Sequence, residues 1–348
     1  VPYMTAMMVS ALVIITYTIL GGFRAVCTTD LLQSIVMSIA LITIVVYGVN
    51  SAGGFDAVAA NASALPGYLS LNATYDAANN TSSPYGFLSI ISTMAWGLGY
   101  FGMPHILVRF MSIEDENKLT LSRRIASIWV VFAMAVAIFI GVIGLAMSKS
   151  GAMVTLADSE TVIIAIANIL SQHGLLTALL AGVILAGILA ATMSTADSQL
   201  LAASSGFSEN LLKDFFGVKI SEKQSILVAR ITVVVISIIS VFLARDPNSS
   251  VFQIVSFAWA GFGGAFGAVI LCSLFWKRTT LAGALAGIIS GGAFVFIWKF
   301  LVRPLGGAFN IYELLPAFIV SLVFIVVVSL LTKKPDESIV KEFEEARS

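Results

Sequence analysis

The sequence predicts an all-α integral membrane protein with about nine transmembrane helices. Three observations lead there. Hydrophobic residues make up 58% of the chain and charged residues 11%, with a mean hydropathy of +0.98, more apolar character than a soluble domain of this size carries. Nine stretches approach the roughly 20 residues needed to cross a hydrocarbon core. The basic residues fall mostly on one side of those stretches.

In order, the predicted spans are 4–21, 31–50, 86–109, 125–148, 175–203, 225–244, 250–276, 280–301 and 311–332. If they alternate, fifteen of the 19 Lys and Arg residues lie on one side, among them Arg24, Arg109, Arg123, Arg124, Lys213, Lys277, Arg278 and Arg347. Lys149, Arg245, Lys299 and Arg303 lie on the other. The positive-inside rule then puts the tail 333–348 in the cytoplasm of a multi-pass cell-membrane protein. The loop 51–85, rich in Asn, Ala, Ser and Gly and without Lys or Arg, goes outside. Residues 158–171 read as a short amphipathic helix on that outer side. The tail, KKPDESIVKEFEEARS, reads as a charged helix that frays.

Composition also excludes function classes. A net charge of zero argues against a nucleic-acid partner. Cys27 and Cys272 stand too far apart to suggest a metal site or a disulfide framework. No Walker loop, nucleophile elbow or metal cluster supports an enzyme. The obligatory surroundings are the lipid bilayer, and no obligatory protein partner is inferred. The chain begins at Val1, almost inside an apolar helix and without a signal-peptide pattern, so it reads as the carboxy-terminal part of a longer protein.

The stretch Ile184–Ser205 organises the rest. It has the apolar length of a span, yet it carries Ser194, Thr195, Ser198, Ser204, Ser205 and Asp197. Ala191, Ser194 and Thr195 fall at i, i+3 and i+4 and share a helix face. A backbone carbonyl and two hydroxyls are hard, neutral oxygen ligands, the kind that suits Na⁺. The alternative is that both hydroxyls bond back to the preceding turn. Asp197 is a functional candidate as an ionisable group inside a span. It faces away from Thr195, and pairing with a nearby polar or backbone group is expected of it.

The second unusual stretch is AWGLGYFGMPH in span 86–109. Gly97, Gly99, Gly102 and Pro104 weaken a helix in mid-membrane. Pro104 lacks a donor and would crowd the carbonyl of Tyr100. Broken helices of this kind mark solute sites in secondary transporters. Trp96, Tyr100 and Pro104, at i, i+4 and i+8, would line one side, an aromatic wall suited to a small zwitterion. A kinked helix whose aromatics pack on a neighbour is the competing reading.

GILAATMSTADSQLLAASS resembles the signature of the sodium:solute symporter family. YTILGGFRAVCTTDLLQ, MAWGLGYFGMPHILVRFMS and SFAWAGFGGAFGAVIL extend the resemblance over nearly the whole chain, toward the proline-carrying branch. The resemblance implies a LeuT-type inverted-repeat fold, with Na⁺ as the coupling ion and proline as the solute. It assigns Ala191, Ser194 and Thr195 to Na⁺ and Trp96, Tyr100 and Pro104 to the solute. It links Asp30, near the cytoplasmic end of its helix, to gating or ion exit, and Asp197 is grouped with it. Residues 1–50 would be the last two helices of the first repeat and 86–276 the second. Residues 277–332 would be two peripheral helices. Open alternatives are another amino acid, a carboxylate such as pantothenate, or a symporter-like sensor, which the short tail disfavours.

Overall fold

The computed structural model describes residues 2–246 and 250–346. Val1 and Arg347, both used in the sequence reading, lie outside the described residues. In chain order the elements are α1 (Tyr3–Ser51), α2 (Phe55–Ser63), β1 (Ala73–Asp76), β2 (Thr81–Pro84), α3 (Phe87–Met94), α4 (Trp96–Gly99), α5 (Pro104–Met111), α6 (Leu119–Ser150) and α7 (Val162–Ser171). They continue with α8 (Leu175–Ser205), α9 (Glu222–Leu243), α10 (Val251–Phe262), α11 (Ala268–Phe275), α12 (Leu281–Ile297), α13 (Leu314–Leu331) and α14 (Glu337–Glu345). Wide π-turns extend α8 through Gly206–Phe215, join α10 to α11 at Gly263–Gly267 and follow α12 at Trp298–Val302.

Seven helical segments among the described residues are long and apolar enough to cross a membrane. The first, α1, holds two of the expected spans. The connection expected between them is helical, apart from Gly22 at φ 59°, ψ −165°. Residues 23–30 include no Pro or Gly, so the helix resumes at once. Span 86–109 is delivered in pieces as α3, α4 and α5, with a 3₁₀ turn at Tyr100–Gly102.

The loop 51–85, expected to lie outside, carries secondary structure of its own. It contains α2 and the two-stranded sheet β1–β2. In the turn between the strands the Asp76 carboxylate accepts from Asn79 Nδ2 at 2.7 Å and from the Ala78 N–H at 2.9 Å. Those two bonds hold its pKa below the usual carboxylate value. The expected amphipathic helix at 158–171 is a 3₁₀ turn followed by α7, with Asp158 accepting from the Glu160 N–H at its start. The tail forms α14, and Glu344 pairs with Lys277 at 3.0 Å.

Packing divides the chain into two units, Val1–Ser83 with Ile113–Pro247, and Pro84–Ser112 with Asn248–Ser348. In the first, α1 runs along α8 and also meets α6 and α9. Small residues permit this: Gly187 of α8 faces Ala40, and Gly48 of α1 faces Ile143 and Met147. The core is Ile44, Ile140, Ile143, Met147, Ile166 and Ile184 with smaller neighbours. In the second unit α12 lies against α13. Gly283, Gly287 and Gly291, four residues apart, present a flat strip to Ser321, Ile325 and Ser329, the small-residue contact typical of membrane helices. Ser321 Oγ donates to the Gly287 carbonyl at 3.0 Å. The segment 86–276 expected as one repeat is therefore divided between the two packing units, because membrane helices adjacent in sequence need not be neighbours in space.

Outward faces are strongly apolar, with Leu12, Ile35, Ile128, Leu176 and Ile289 largely exposed. Buried polar residues lie in both units: Thr18, Asp197, Ser198, Ser204, Ser208, Ser225 and Ser237 in the first, and Glu313, Ser321 and Ser329 in the second. Apolar outside and polar inside is the arrangement a bilayer demands.

Candidate functional site

Two sets of residues were expected to act, and each lies within one packing unit. In the first unit, α8 brings Ala191, Ser194 and Thr195 to one face. Ser194 Oγ donates to the Ala191 carbonyl at 3.2 Å and Thr195 Oγ1 donates to the same oxygen at 3.3 Å. Three oxygens thus meet around one point. Both bonds are long for O–H···O contacts and compete for a single acceptor. Ser198 Oγ, by contrast, reaches the Ser194 carbonyl at 2.7 Å. The back-bonding alternative is therefore what the geometry displays, in a weak form that costs little to give up. Ala191 and Thr195 are exposed within the chain and Ser194 is half-buried. A cation held here would need further ligands from outside α8.

Asp197 lies around the helix from this face and is fully buried at 0% exposure. Tyr17 of α1 donates its O–H to Asp197 Oδ2 at 2.8 Å, and Ser198 Oγ approaches Oδ1 at 3.3 Å. The expected partner of Asp197 is thus a side chain on another helix. Asp30 stands near enough to act electrostatically on both Tyr17 and Asp197, and Gln33 lies close to the Tyr17 hydroxyl. The structure gathers Tyr17, Asp30, Gln33 and Asp197 into one polar cluster between α1 and α8. The sequence reading missed Tyr17. Its phenol lies inside a span, where a hydroxyl must find a partner, and that was the available signal.

In the second unit, α4 carries Trp96, and Tyr100 follows in the 3₁₀ turn. Met103 is extended at φ −87°, ψ 112°, and Pro104 is the first residue of α5. Pro104 therefore does not kink a continuous helix. At the first helical position its missing donor is not needed. The i, i+4, i+8 face extends from Trp96 to Tyr100 but does not reach Pro104, because the helix stops in between.

Trp96 is half-buried in a stack of near-parallel rings. Phe252, Trp259 and Tyr312 lie 5.6, 5.5 and 5.9 Å from it, at 10°, 15° and 18°. Trp259 Nε1 donates to the Trp96 carbonyl at 2.9 Å, which ties α10 to α4 beside the break. Tyr100 sits edge-on against Trp259 at 4.8 Å and stays 47% exposed. Gly99 and Gly102 allow this approach: a Cβ on Gly99 would meet the Trp259 ring, and one on Gly102 the Phe262 carbonyl. Tyr100 and Pro104 offer open surface here, while Trp96 offers mainly a fixed ring plane. Trp259 and Tyr312 are contributors that the sequence reading missed.

The model of the sodium:solute symporter family matches residues 1–291. A sodium/proline symporter of Haemophilus influenzae is 40% identical over 352 residues, covering 99% of this chain and 67% of that protein. The high-affinity proline transporter PutP of Bacillus subtilis is 40% identical, covering 99% and 68%. A sodium/proline symporter of Escherichia coli is 39% identical, covering 99% and 65%. The chain spans about two thirds of the length of the relatives it matches. Among solved structures, a Na⁺-coupled sialic acid symporter in a substrate-bound outward-open state superposes with a TM-score of 0.72 at 17% identity, covering 97% of this chain and 68% of that one. That likeness gives the chain a LeuT-type all-α transporter fold. With the family match and the identity over nearly its full length, this chain belongs to the sodium:solute symporter family.

Proposed function

We propose that this chain forms most of a Na⁺-coupled symporter that moves L-proline by alternating access. The convergence of the Ala191 carbonyl with the Ser194 and Thr195 hydroxyls on α8 carries the Na⁺ half of the reading. The relatives named as proline symporters and transporters support the solute. In this reading the two long hydroxyl bonds open toward the ion, and other residues complete its coordination. Trp96, Tyr100 and Pro104 shape the solute side. Asp30 and Asp197 serve ion exit or gating, tied together by Tyr17. Residues 1–50 close one inverted repeat, 86–276 make the other, and 277–332 are peripheral. The charge bias supports a cytoplasmic tail in a cell-membrane protein.

Coupling follows from differential binding. Na⁺ must favour the state competent for the solute, because an ion with equal affinity for both states shifts nothing. One cation crossing about 100 mV contributes about 2.3 kcal/mol. Uptake of labelled proline by proteoliposomes holding the full-length protein tests the reading, with an inward Na⁺ gradient and with K⁺ in place of Na⁺. Uptake that needs Na⁺ and is competed by unlabelled proline is expected. Na⁺-dependent uptake of another solute alone would overturn the proline assignment. Proline uptake indifferent to Na⁺ would overturn the coupling.

A further inference from the structure

The connection between α12 and α13 is bound to the broken segment by contacts that the transport reading does not use. Tyr312 stands at their centre. Its backbone N–H donates to Ser92 Oγ at 2.7 Å, and its hydroxyl donates to the Ser256 carbonyl at 2.6 Å. Its ring lies 18° from the plane of Trp96. The next residue, Glu313, is only 1% exposed. Its carboxylate accepts from Arg303 Nη1 at 2.8 Å and pairs with Lys299 Nζ at 3.8 Å. Lys299 also sits 3.7 Å over the Phe257 ring.

A tyrosine held at its backbone and at its hydroxyl cannot swing its ring without breaking a bond. A buried carboxylate with two cations is costly to pull apart, so the anchor beside Tyr312 stays shut. Phe252 and Trp259 hold Trp96 from its other contacts. The ring on the expected solute wall is therefore set partly by a loop between two peripheral helices.

We propose that the α12–α13 connection is a positioning clamp: Tyr312, anchored beside the Glu313–Arg303–Lys299 cluster, fixes the plane of Trp96 and the geometry of the helix break. Tyr312 is a positioning residue, since it acts through Trp96. The transport consequence rests on the reading of Trp96 as part of the solute site, and the structural consequence does not.

The test joins hydrogen exchange of the full-length protein in nanodiscs, read over residues 93–103, with half-saturation measurements in proteoliposomes. Tyr312→Ala is expected to speed exchange there about tenfold. It should raise the proline half-saturation about tenfold while leaving that for Na⁺ within about twofold. Tyr312→Phe keeps the ring and the N–H bond and should stay within about threefold on both readouts. In a Trp96→Ala background, Tyr312→Ala should add less than about twofold to the proline value, because its effect passes through a ring already removed. Unchanged exchange in Tyr312→Ala overturns the clamp, and full additivity overturns its action through Trp96. Faster exchange together with an unchanged proline value in Trp96→Ala supports the clamp and overturns the solute-wall reading instead. Should Tyr312→Ala not accumulate, Ser92→Ala removes only the acceptor of the Tyr312 N–H. About threefold faster exchange is then expected, and none overturns the clamp.

Discussion

The phenol of Tyr17 donates to the buried carboxylate of Asp197 at 2.8 Å, joining α1 to α8. Asp197 has no exposed surface, so water cannot replace that donor easily. Tyr17→Phe should cost about 1–3 kcal/mol, the penalty of a buried polar group that loses its partner. A lower thermal midpoint in detergent is the expected reading. An unchanged midpoint would mean that neighbouring groups supply the lost donor.

Thr195→Ala removes one of the three oxygens that meet on α8. The Na⁺ half-saturation of proline uptake should rise about tenfold or more, an affinity loss of about 1.4 kcal/mol or greater. Thr195→Ser retains the hydroxyl and should stay near the parent. An unchanged Na⁺ requirement in Thr195→Ala would remove this face from the ion site.

Two glycines make separable predictions. At Gly22 an added Cβ meets nothing within 4 Å, yet the backbone stands at φ 59°. Gly22→Ala should therefore cost about 1–3 kcal/mol from backbone strain alone. At Gly102 the backbone is ordinary, but a Cβ would strike the Phe262 carbonyl. Gly102→Ala should disturb α10 and the stack around Trp96, so its tryptophan fluorescence should change where that of Gly22→Ala does not.

The cations around Glu313 should rank by distance. Arg303 pairs at 2.8 Å and Lys299 at 3.8 Å. Arg303→Met should lower the thermal midpoint more than Lys299→Met, which also keeps an apolar contact with Phe257. Glu313→Gln should fall between a full break and the parent, because it keeps hydrogen-bonding oxygen without the charge. The reverse order of the two cation variants would show that the Arg303 bond contributes less than its geometry implies.

The same pairing accounts for two basic residues that oppose the charge bias. Lys299 and Arg303 were expected on the side with few cations, and both pair with one buried carboxylate. Arg245, a third, stacks over Phe242 at 4.5 Å. Local pairing explains their placement better than a topology signal does.

The membrane class, the spans and the hydroxyl-bearing face of α8 were legible because each depends on a run or a repeat spacing along one helix. Apolar length and the i, i+3, i+4 relation of Ala191, Ser194 and Thr195 are local properties, and a helix preserves them wherever it packs. The break in span 86–109 was legible for the same reason, since Gly97, Gly99, Gly102 and Pro104 stand within one short run of the chain. Its form was not. Whether Pro104 kinks a helix or starts a new one depends on whether Met103 extends, which the packing of Gly102 against Phe262 helps to decide.

Only the tertiary structure could bring Tyr17 to Asp197 across 180 positions, Trp259 to the carbonyl of Trp96, or Tyr312 to Ser92 and Ser256. These are contacts between helices, and no spacing within one helix encodes its partner. Spacing along each helix told which residues share a face there, as for Ala191, Ser194 and Thr195. The fold decided which of those groups meet, because an unpaired polar group away from water is costly and helix packing sets which partners on other helices come within reach.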